Sequence, residues 1–461
     1  MKKPLYFCIF LLLSVCLSGC GVQKPDWPGY SGTMEGYEYC NTEQRDRAWE
    51  EDVLSLAENF LRYQPQLVNA ETKMIVSETY IEWQNLFEEA LHSAFFAEIN
   101  QLIPDIPELT DTQILFRLQK IVAGLGDSHS RIALPMEPFF PVSFMPIYTE
   151  EGVELYAVVL PAEYESFLYA KLVSVNGVPA EEILNRMKPY ISHENQYWLI
   201  HAWTVDTGGE WITQRDMLEQ VGVIAPDSTM ANFEFLKENG QTETVGVEAV
   251  TLEEYIGLKK INHGIYKTYT LLYKDWTKKN YWYQMLPEEN ALYVRIAWFY
   301  EDENPSLREM SEQMIRDIQE ANGVDKVIVD LRNNGGGLEI EGYERFFQAL
   351  TLRDIGKVYV LIDGGTYSRA VIAAYRIRQD IDGAVLVGTP AGEGSTLFSH
   401  TEKSNYTMPN CGVGYWIGTQ KCVIDPDSEY SALMPDILVY PTMDDCRNGL
   451  DTILEYVLGL E

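Results

Sequence analysis

The stretch VIVDLRNNGGGLEIEG, residues 327–342, is the part of the chain that decides the fold. Its first residues are apolar and β-branched, which is typical of a buried strand. The segment Asn333–Gly337 follows directly, and two Asn and three Gly favour a loop that bends freely and exposes its backbone. The stretch therefore predicts a strand that ends in a loop whose backbone is closely approached by another group.

On either side of this stretch, strand patterns alternate with helix patterns from about residue 280 onward. Alternation of this kind predicts parallel β-α-β units, with functional sites at the carboxyl ends of the strands. The segments are ALYVRIAWF, NPSLREMSEQMIRDIQEAN, KVIVDLR, EIEGYERFFQALT, KVYVLID, SRAVIAAYRIRQ and AVLVG.

The part of the chain before this alternation has two other patterns. Apolar residues at helical spacing in 47–63, 80–100 and 110–126 predict an all-α region, with Thr110 or Asp111 as a helix cap and Gly124 or Gly126 at its end. Strand-like segments follow, and AKLVSVNGVPAEEIL resembles the strand, Asn-Gly turn and helix start of a PDZ domain. That resemblance implies a PDZ-like α+β middle domain.

The first twenty residues differ from the rest. Lys2 and Lys3 precede an apolar run of signal-peptide length, and the run ends in Leu-Ser-Gly-Cys20. This ending resembles the bacterial lipoprotein signal, which implies removal of residues 1–19 and lipid attachment at Cys20. An ordinary cleaved signal or an uncleaved anchor is the alternative. We expect an extracytoplasmic protein attached to the bacterial membrane by this lipid alone.

The chain of 461 residues is globular in composition and strongly acidic, with a formal charge of −34 that becomes −36 when Lys2 and Lys3 are removed. No basic stripe compensates this charge, so nucleic acid is excluded as a partner. No CxxC pair or HExxH motif is present, and no metal or other cofactor is predicted.

Four cysteines remain after the signal and the lipid site are set aside: Cys40, Cys411, Cys422 and Cys446. The segment CGVGYWIGTQKC predicts two strands around a turn with a Cys411–Cys422 disulfide.

Two strand ends carry candidate chemistry. The DLRNNGGG loop lacks the spacing of a nucleotide-binding loop and instead offers backbone N–H groups to an oxyanion, with a purely structural turn as the alternative. The second end, VLIDGGTYSRAVIAAY, places Ser368 between a strand and a helix, where it is either a helix cap or a nucleophile. A serine nucleophile needs a base, and among six His the best placed is His129, which is flanked by small polar residues in GLGDSHSRI.

Taken together, DLRNNGGG, GGTYS, GLGDSH and the closing segment SALMPDILV resemble the C-terminal processing, or tail-specific, serine peptidase family. One branch of that family uses a Lys base in a Gly-Lys-Gly context, but GTPAGEGS has Glu393 at the matching place. The resemblance is therefore to the tricorn-like branch, which uses His as base. It implies that Ser368 is the nucleophile, His129 the base, Ser128 a relay and Glu429 the acid, and that the N–H groups of Gly336 and Arg369 form the oxyanion hole.

The resemblance implies a fold with an α/β peptidase core of crotonase/ClpP-like parallel β-α-β units, an N-terminal helical domain and the PDZ-like middle domain. We predict these domains in chain order: signal peptide 1–19, tether 20–44, helical domain 45–135 ending in the His129 motif, middle domain 136–250 and serine peptidase core 251–461.

The implied activity is endopeptidase cleavage of a peptide or protein substrate, with the oligomeric state left open. Two other interpretations compete with it. One is a catalytically inactive peptide-binding lipoprotein on the same fold, and the other is a carbohydrate-active enzyme suggested by the abundant carboxylates and by 10 Trp and 29 Tyr.

Overall fold

The computed structural model describes residues 42–67, 93–135, 137–149, 152–205, 211–261, 279–302, 305–338, 340–400, 404–428 and 430–460. Within these ranges, no helix is both long enough and apolar enough to span a bilayer. The predicted signal peptide, the lipid site Cys20, Cys40 and the predicted acid Glu429 lie outside the described residues.

The described part of the N-terminal region is helical, as the apolar spacing predicts, while residues 80–92 of the second predicted helix lie outside the described residues. Its helices are α1 Thr42–Tyr63, α2 Ala94–Asp105 and α3 Asp111–Ala123. Thr110 caps α3 in a capping box with Gln113, and this cap fixes where the helix begins. At the other end, Gly124 is the C-cap, and the chain turns from there toward the predicted His129 motif.

The middle region is an antiparallel sheet with helices. Asn176 and Gly177 both have positive φ, 49° and 79°, so they form the predicted tight turn between two paired strands. The sheet has the strand order β2-β3-β4-β6-β7. The elements are β1 Arg131–Ile132, β2 Ser143–Thr149, β3 Gly152–Pro161, β4 Lys171–Val175, β5 Val178–Pro179, α4 Ala180–Met187, α5 Gln196–Val205, α6 Arg215–Gln220, β6 Met230–Leu236, β7 Thr242–Glu248, α7 Leu252–Gly257 and β8 Lys260–Ile261.

The helical region and the middle sheet share one cluster of buried apolar side chains. Phe60 of α1, Phe116 of α3 and Phe233 of β6 all belong to it, as do Tyr367 and Tyr415 from much later in the chain. The segment around residue 129 therefore lies between elements that pack on one another, and its position depends on contacts from several parts of the chain.

The region after residue 280 contains a mostly parallel sheet. Its order is β18-β13-β12-β11-β10-β9, and only β9, at the edge, is antiparallel to its neighbour. The elements are β9 Tyr281–Leu286, β10 Ala291–Ile296, α8 Leu307–Glu320, β11 Val324–Asp330, α9 Tyr343–Leu350, β12 Ile355–Ile362, α10 Arg369–Asp380, β13 Val385–Gly388, β14 Thr396–Ser399, β15 Asn405–Thr407, β16 Gly414–Trp416, β17 Gln420–Val423, β18 Ile437–Leu438, α11 Met443–Asn448 and α12 Thr452–Leu458.

The sheet has this form because its central strands are buried on both faces. Every residue of β10 is buried, and so is all of β11 except Asp325, as expected for strands covered by helices on both sides. The predicted β-α-β alternation is confirmed. The loops after β11 and β12 consequently lie side by side at the carboxyl edge of the sheet.

The predicted Cys411–Cys422 disulfide is wrong, because both residues have free thiols in the structure. The prediction assumed a hairpin, but β16 pairs with β1 and β15, whereas β17 pairs with β14 in another sheet. The two strands therefore separate at the turn. Cys411 packs in the large cluster shared with the helical region, while Cys422 packs against the parallel sheet.

Candidate active site

The glycine-rich loop after β11 is held by its own backbone and by Asn334. The Asn334 side chain donates to the Ile296 carbonyl at 2.8 Å and accepts from the Gly336 N–H at 2.8 Å. Phe299 N donates to the Gly336 carbonyl at 2.8 Å. A Cβ on Gly337 would lie 2.5 Å from the Phe299 carbonyl oxygen, a separation that no side chain could adopt. The loop is thus pressed against the segment that follows β10.

Gly336 faces the predicted nucleophile. Its φ is +94°, and a Cβ added there would lie 2.7 Å from the Ser368 Cβ and 2.9 Å from the Arg369 N. Positive φ and this close approach both require glycine. The loop therefore consists of Asn and Gly because the backbone of the Ser368 turn lies directly against it.

A buried ionic cluster holds the carboxyl end of β11. Asp330 receives hydrogen bonds from Arg332 and, at 2.7 Å, from Tyr293, while Arg332 also binds both oxygens of Asp451 at 2.7 Å. Burial alone would raise the pKa of Asp330, but the Arg332 guanidinium and the more distant Arg295 bring it below its usual value. The Asp and Arg of the DLRNNGGG motif thus anchor the strand end from which the loop starts.

Ser368 lies at the turn between β12 and α10 in a strained conformation. Its φ is 54° and its ψ is −121°, a region that non-glycine residues rarely occupy. Although it occupies the N-cap position of α10, its side chain makes no capping hydrogen bond. The Ser368 hydroxyl therefore does not act as a helix cap. The Thr366 hydroxyl donates to the Leu331 carbonyl at 2.9 Å and so ties this turn to the glycine-rich loop.

His129 is brought to Ser368 from 239 positions earlier in the chain, with its Nε2 3.2 Å from the Ser368 Oγ. Its loop is organised by Asp127, whose carboxylate accepts from the His129 N–H at 2.9 Å and from the Ser130 hydroxyl. Burial lowers the pKa of His129 to about 4; Asp127 opposes this effect and Arg131 adds to it. The imidazole is therefore neutral at neutral pH, as a proton acceptor must be.

The other ring nitrogen of His129 begins a chain of hydrogen bonds. Nδ1 is 2.6 Å from the hydroxyl of Tyr367, which is 2.8 Å from the hydroxyl of Ser128. Ser128 in turn donates to Glu194 Oε1 at 3.1 Å. The predicted relay residue Ser128 thus lies near His129, but Tyr367 stands between them. Sequence reasoning missed Tyr367 and Glu194, although Tyr367 directly precedes the predicted nucleophile.

Glu393 is the second acidic residue that sequence reasoning missed. It is fully buried, its Oε2 accepts from the Ser368 N–H at 2.5 Å, and its Oε1 lies 3.3 Å from His129 Nδ1. The sequence singled it out only as the residue that replaces a Lys. Its position after β13, the neighbour of β12 in the sheet, was the signal that could have identified it.

The carboxyl groups near His129 are arranged for hydrogen bonding within the protein. One oxygen or nitrogen each from Asp127, His129 and Glu194 lies close enough to reach a single cation. However, Asp127 accepts from His129 N and Ser130, and both ring nitrogens of His129 have protein partners. The donor set is therefore used for positioning His129.

The predicted oxyanion donors Gly336 and Arg369 lie next to one another, since a Cβ on Gly336 would be 2.9 Å from Arg369 N. In this structure the Gly336 N–H donates to Asn334. Arg369 is the first residue of α10, where the helix dipole favours negative charge.

A cavity of about 400 Å³ lies between the start of α5 and the closing segment SALMPDILV. Asn195, next to Glu194 in the chain, lines it and donates to the Ser431 carbonyl at 2.9 Å. The closing segment SALMPDILV supplies Ser431, Ala432 and Met434 to the same wall. Leu433 N donates to the Glu393 carbonyl at 2.8 Å, so this segment also holds Glu393 in place.

Comparisons with known proteins identify similar sequences and folds. A model of peptidase family S41 matches residues 290–350, the segment from β10 to the end of α9. The sequence has no significant match among curated proteins. Mature CPAF complexed with lactacystin is a similar solved structure, with a TM-score of 0.56 and 13% identity over 89% of this chain and 97% of that chain.

A second structure of mature CPAF has a TM-score of 0.54 and 15% identity, over 89% of this chain and 96% of that chain. The photosystem II D1 C-terminal processing protease is more distant, with a TM-score of 0.40 and 13% identity over 89% of this chain and 96% of that chain. The two CPAF structures show that the fold over 89% of this chain is a known one. The predicted fold class is therefore confirmed.

Proposed function

We propose that this chain is a serine-type peptidase of the S41, C-terminal processing kind, with Ser368 as its nucleophile and His129 as its general base. The observation that carries the proposal is the 3.2 Å separation of Ser368 Oγ and His129 Nε2 at a strained turn whose hydroxyl does not cap its helix. Nucleophiles and bases within hydrogen-bond reach, with the base oriented by a third group, are typical of covalent catalysis. We infer endopeptidase activity on peptide or protein substrates.

The reaction follows from the placement of the protons. Ser368 Oγ forms a bond to the substrate carbonyl carbon while its proton passes to His129 Nε2, and the carbonyl electron pair becomes an oxyanion. When that pair returns, the C–N bond breaks and His129 gives its proton to the leaving amine. Water then attacks the acyl-serine carbonyl carbon and gives its proton to His129. The bond between this carbon and Ser368 Oγ breaks, the carboxylic acid leaves, and His129 returns the proton to Ser368 Oγ.

The proposed oxyanion hole is formed by the N–H groups of Gly336 and Arg369. Their proximity and the start of α10 favour negative charge at this point. Because Gly336 N–H donates to the Asn334 side chain at 2.8 Å, binding of substrate has to exchange or share that bond. Asn334→Ala would release this N–H but would also leave the loop without its link to Ile296.

We also propose that the mature protein lies outside the cytoplasm, attached by lipid at Cys20. The supporting feature is the sequence: two Lys, an apolar run and Leu-Ser-Gly-Cys. Expression of wild type and Cys20→Ala in cells fed a lipid precursor tests it. Labelled lipid on the wild type and its absence from Cys20→Ala are expected, and an unlabelled wild type would contradict the anchor.

Labelling with a fluorophosphonate probe tests the catalytic assignment. Residues 21–461 are treated with the probe, and the label is located by mass spectrometry in wild type, Ser368→Ala and His129→Ala. The label is expected on Ser368 of the wild type and in neither variant. Ser306→Ala, which removes an N-cap serine of α8, and His193→Ala are matched controls that should keep the label.

Absence of label from every protein, with the fold intact, would contradict this assignment. It would favour the alternative of a non-catalytic peptide-binding protein on the same fold. Peptide affinity that is unchanged in Ser368→Ala would support that alternative directly.

A further inference from the structure

Two carboxyl oxygens near His129 are buried and lack a hydrogen-bond partner among the described residues. They are Glu194 Oε2 and Glu393 Oε1. The other oxygen of each group is used: Glu194 Oε1 accepts from Ser128, and Glu393 Oε2 accepts from Ser368 N–H. Buried polar atoms without partners are rare, so these two atoms need an explanation.

The explanation lies in their proximity. The two side chains are at hydrogen-bonding range of each other, and burial raises the pKa of both well above the usual value, with the negative charge of Glu393 adding to the effect on Glu194. Two ionised carboxylates are both acceptors and cannot bond. A single proton between Glu194 Oε2 and Glu393 Oε1 would satisfy both atoms at once.

We propose that Glu194 and Glu393 share one proton and that this singly charged acid pair positions His129 for catalysis. The proposal rests on the proposed function of His129 as base. Glu393 acts directly, since its Oε1 is 3.3 Å from His129 Nδ1. Glu194 acts through Ser128 and Tyr367, so both glutamates are positioning residues.

The hydrogen-bond directions are consistent with this assignment. For His129 Nε2 to accept the Ser368 proton, Nδ1 must carry the hydrogen and donate it to the Tyr367 oxygen at 2.6 Å. Tyr367 then donates to Ser128, and Ser128 donates to Glu194 Oε1. Each link has one donor and one acceptor, so the tautomer of His129 is set by an acceptor at the far end.

The surroundings of the pair resist a second negative charge. Asp127 adds repulsion to both carboxyls. Tyr367 and His129, which lie beside the pair, are neutral: burial raises the pKa of Tyr367 well above its usual value and lowers the pKa of His129 to about 4. His400 packs against His129, and its pKa is lowered to about 3 mainly by burial. The positive charge of Arg131 helps to lower the pKa of both histidines.

A pH dependence follows. Loss of the shared proton at high pH would leave two adjacent carboxylates, which repel each other and disturb the contacts to His129 and Ser368 N. Labelling of Ser368 should therefore fall at alkaline pH. Loss of the shared proton should not destabilise parts of the protein that are remote from Glu194 and Glu393.

Glutamine substitutions distinguish the two members. In Glu194→Gln, the carboxamide oxygen can accept from Ser128 while its N–H donates permanently to Glu393, which reproduces the shared-proton state. This variant should slow probe labelling only several-fold and lose the alkaline fall. In Glu393→Gln, a carboxamide N–H replaces the negatively charged oxygen beside the Nδ1 hydrogen of His129, so labelling should slow on the order of 10-fold or more. Glu238→Gln, on the surface, is the control.

Infrared spectroscopy supplies a readout that does not depend on catalysis. The wild type at neutral pH should show the carbonyl stretch of a buried protonated carboxyl, which disappears in Glu194→Gln. Equal losses of labelling in both variants with unchanged pH profiles, or no protonated-carboxyl band in the wild type, would overturn the proposal. If the wild type is not labelled at Ser368 at all, the proposed function fails, whereas the infrared result still decides whether the proton is shared.

Discussion

The two halves of the candidate active site are held in different ways. The nucleophile half is made by the glycine-rich loop, 331–338, and the Ser368 turn, 363–368, which follow adjacent strands and are fixed by backbone that leaves no room for a side chain. The base half is the His129 loop, 124–130, which is fixed by hydrogen bonds between buried polar side chains. Close packing of the backbone therefore fixes the nucleophile half, and hydrogen bonds between buried polar groups fix the base half.

This difference teaches where each half is vulnerable. Adding one carbon to the nucleophile half should be harmful, because close-packed backbone cannot move aside. The base half should instead be sensitive to the loss of a hydrogen-bond acceptor, because a buried donor is then left without a partner. Variants that add volume to one half and remove polar atoms from the other test the comparison.

The largest effect is expected for Gly336→Ala. The new Cβ would lie 2.7 Å from Ser368 Cβ at a φ of +94°, so the Ser368 turn must shift. Labelling of Ser368 should slow on the order of 100-fold, because a displacement of this size disturbs the attack geometry. The free energy of unfolding should fall by about 2 kcal/mol, measured by denaturant titration.

Gly383→Ala is the matched control for that variant. Gly383 also has positive φ, +74°, but a Cβ there meets nothing within 4 Å. It should lose about 1 kcal/mol of stability through strain alone and keep its labelling rate. Equal labelling by Gly336→Ala and Gly383→Ala would show that excluded volume does not secure the nucleophile half.

A smaller effect is expected for Asp127→Ala. This change removes the acceptor of His129 N–H and of the Ser130 hydroxyl, and Asp127 is fully buried. We expect a stability loss of roughly 2 kcal/mol and labelling slower on the order of 10-fold. Asp127→Asn should fall between the wild type and Ala, because its amide oxygen can still accept from His129.

Asp444→Ala serves as the surface control, since the Asp444 side chain is 86% exposed. If Asp127→Ala labels as fast as Asp444→Ala, the polar contacts of the His129 loop do not position the base.

The acidic limb of the labelling rate should reflect the buried His129. A base with its pKa lowered from 6.5 to about 4 stays neutral as pH falls, until pH approaches about 4, and only then stops accepting the Ser368 proton. Arg131→Gln should move this limb upward by less than about one pH unit, because the positive charge of Arg131 contributes to the lowering. Labelling rates measured from pH 3 upward locate this acidic limb, in which the rate should fall on the order of 10-fold for each pH unit of acidification.

Arg47→Gln, a change at a side chain that is 73% exposed, should leave the limb in place. An acidic limb near the ordinary His value in the wild type would contradict the burial of His129 in the active protein.

The smallest effect is expected for Cys422→Ser, which lies in neither half. Cys422 is not in a disulfide, and its Sγ lies 3.5 Å from the Ser399 hydroxyl, for which a serine hydroxyl is an adequate partner. Labelling and the midpoint of thermal unfolding should match the wild type, with and without reducing agent. A drop in the midpoint of the wild type on reduction would indicate a disulfide after all.

Much of the nucleophile half could be predicted from the sequence. The β-α-β alternation, the strand before DLRNNGGG and the turn at Ser368 are local patterns, because apolar periodicity and glycine needs are properties of a short segment. Parallel strands then bring their carboxyl ends to one edge without further information. The cap Thr110 and the Asn176–Gly177 turn were predictable for the same reason.

The base half was predicted only in part. His129 was identified by its small polar neighbours and by the family resemblance. Tyr367, which directly precedes Ser368, and Glu393, which follows β13, had local signals but were given no role, whereas nothing local distinguishes Glu194 from other Glu residues. The predicted Cys411–Cys422 hairpin was wrong for a related reason. The strand before the turn, β16, pairs with β1, and the strand after it, β17, pairs with β14, so the two strands do not pair with each other.

By itself, the sequence determined the parallel core, the strand ends that meet at its edge, and the residue types able to supply a nucleophile and a base. Only the tertiary structure decided which acids accompany His129, because Glu194 and Glu393 come from segments 199 positions apart that meet only when the middle region packs against the core. The physical reason is that backbone preferences act over a few residues, whereas burial of a charge depends on every segment that removes it from water.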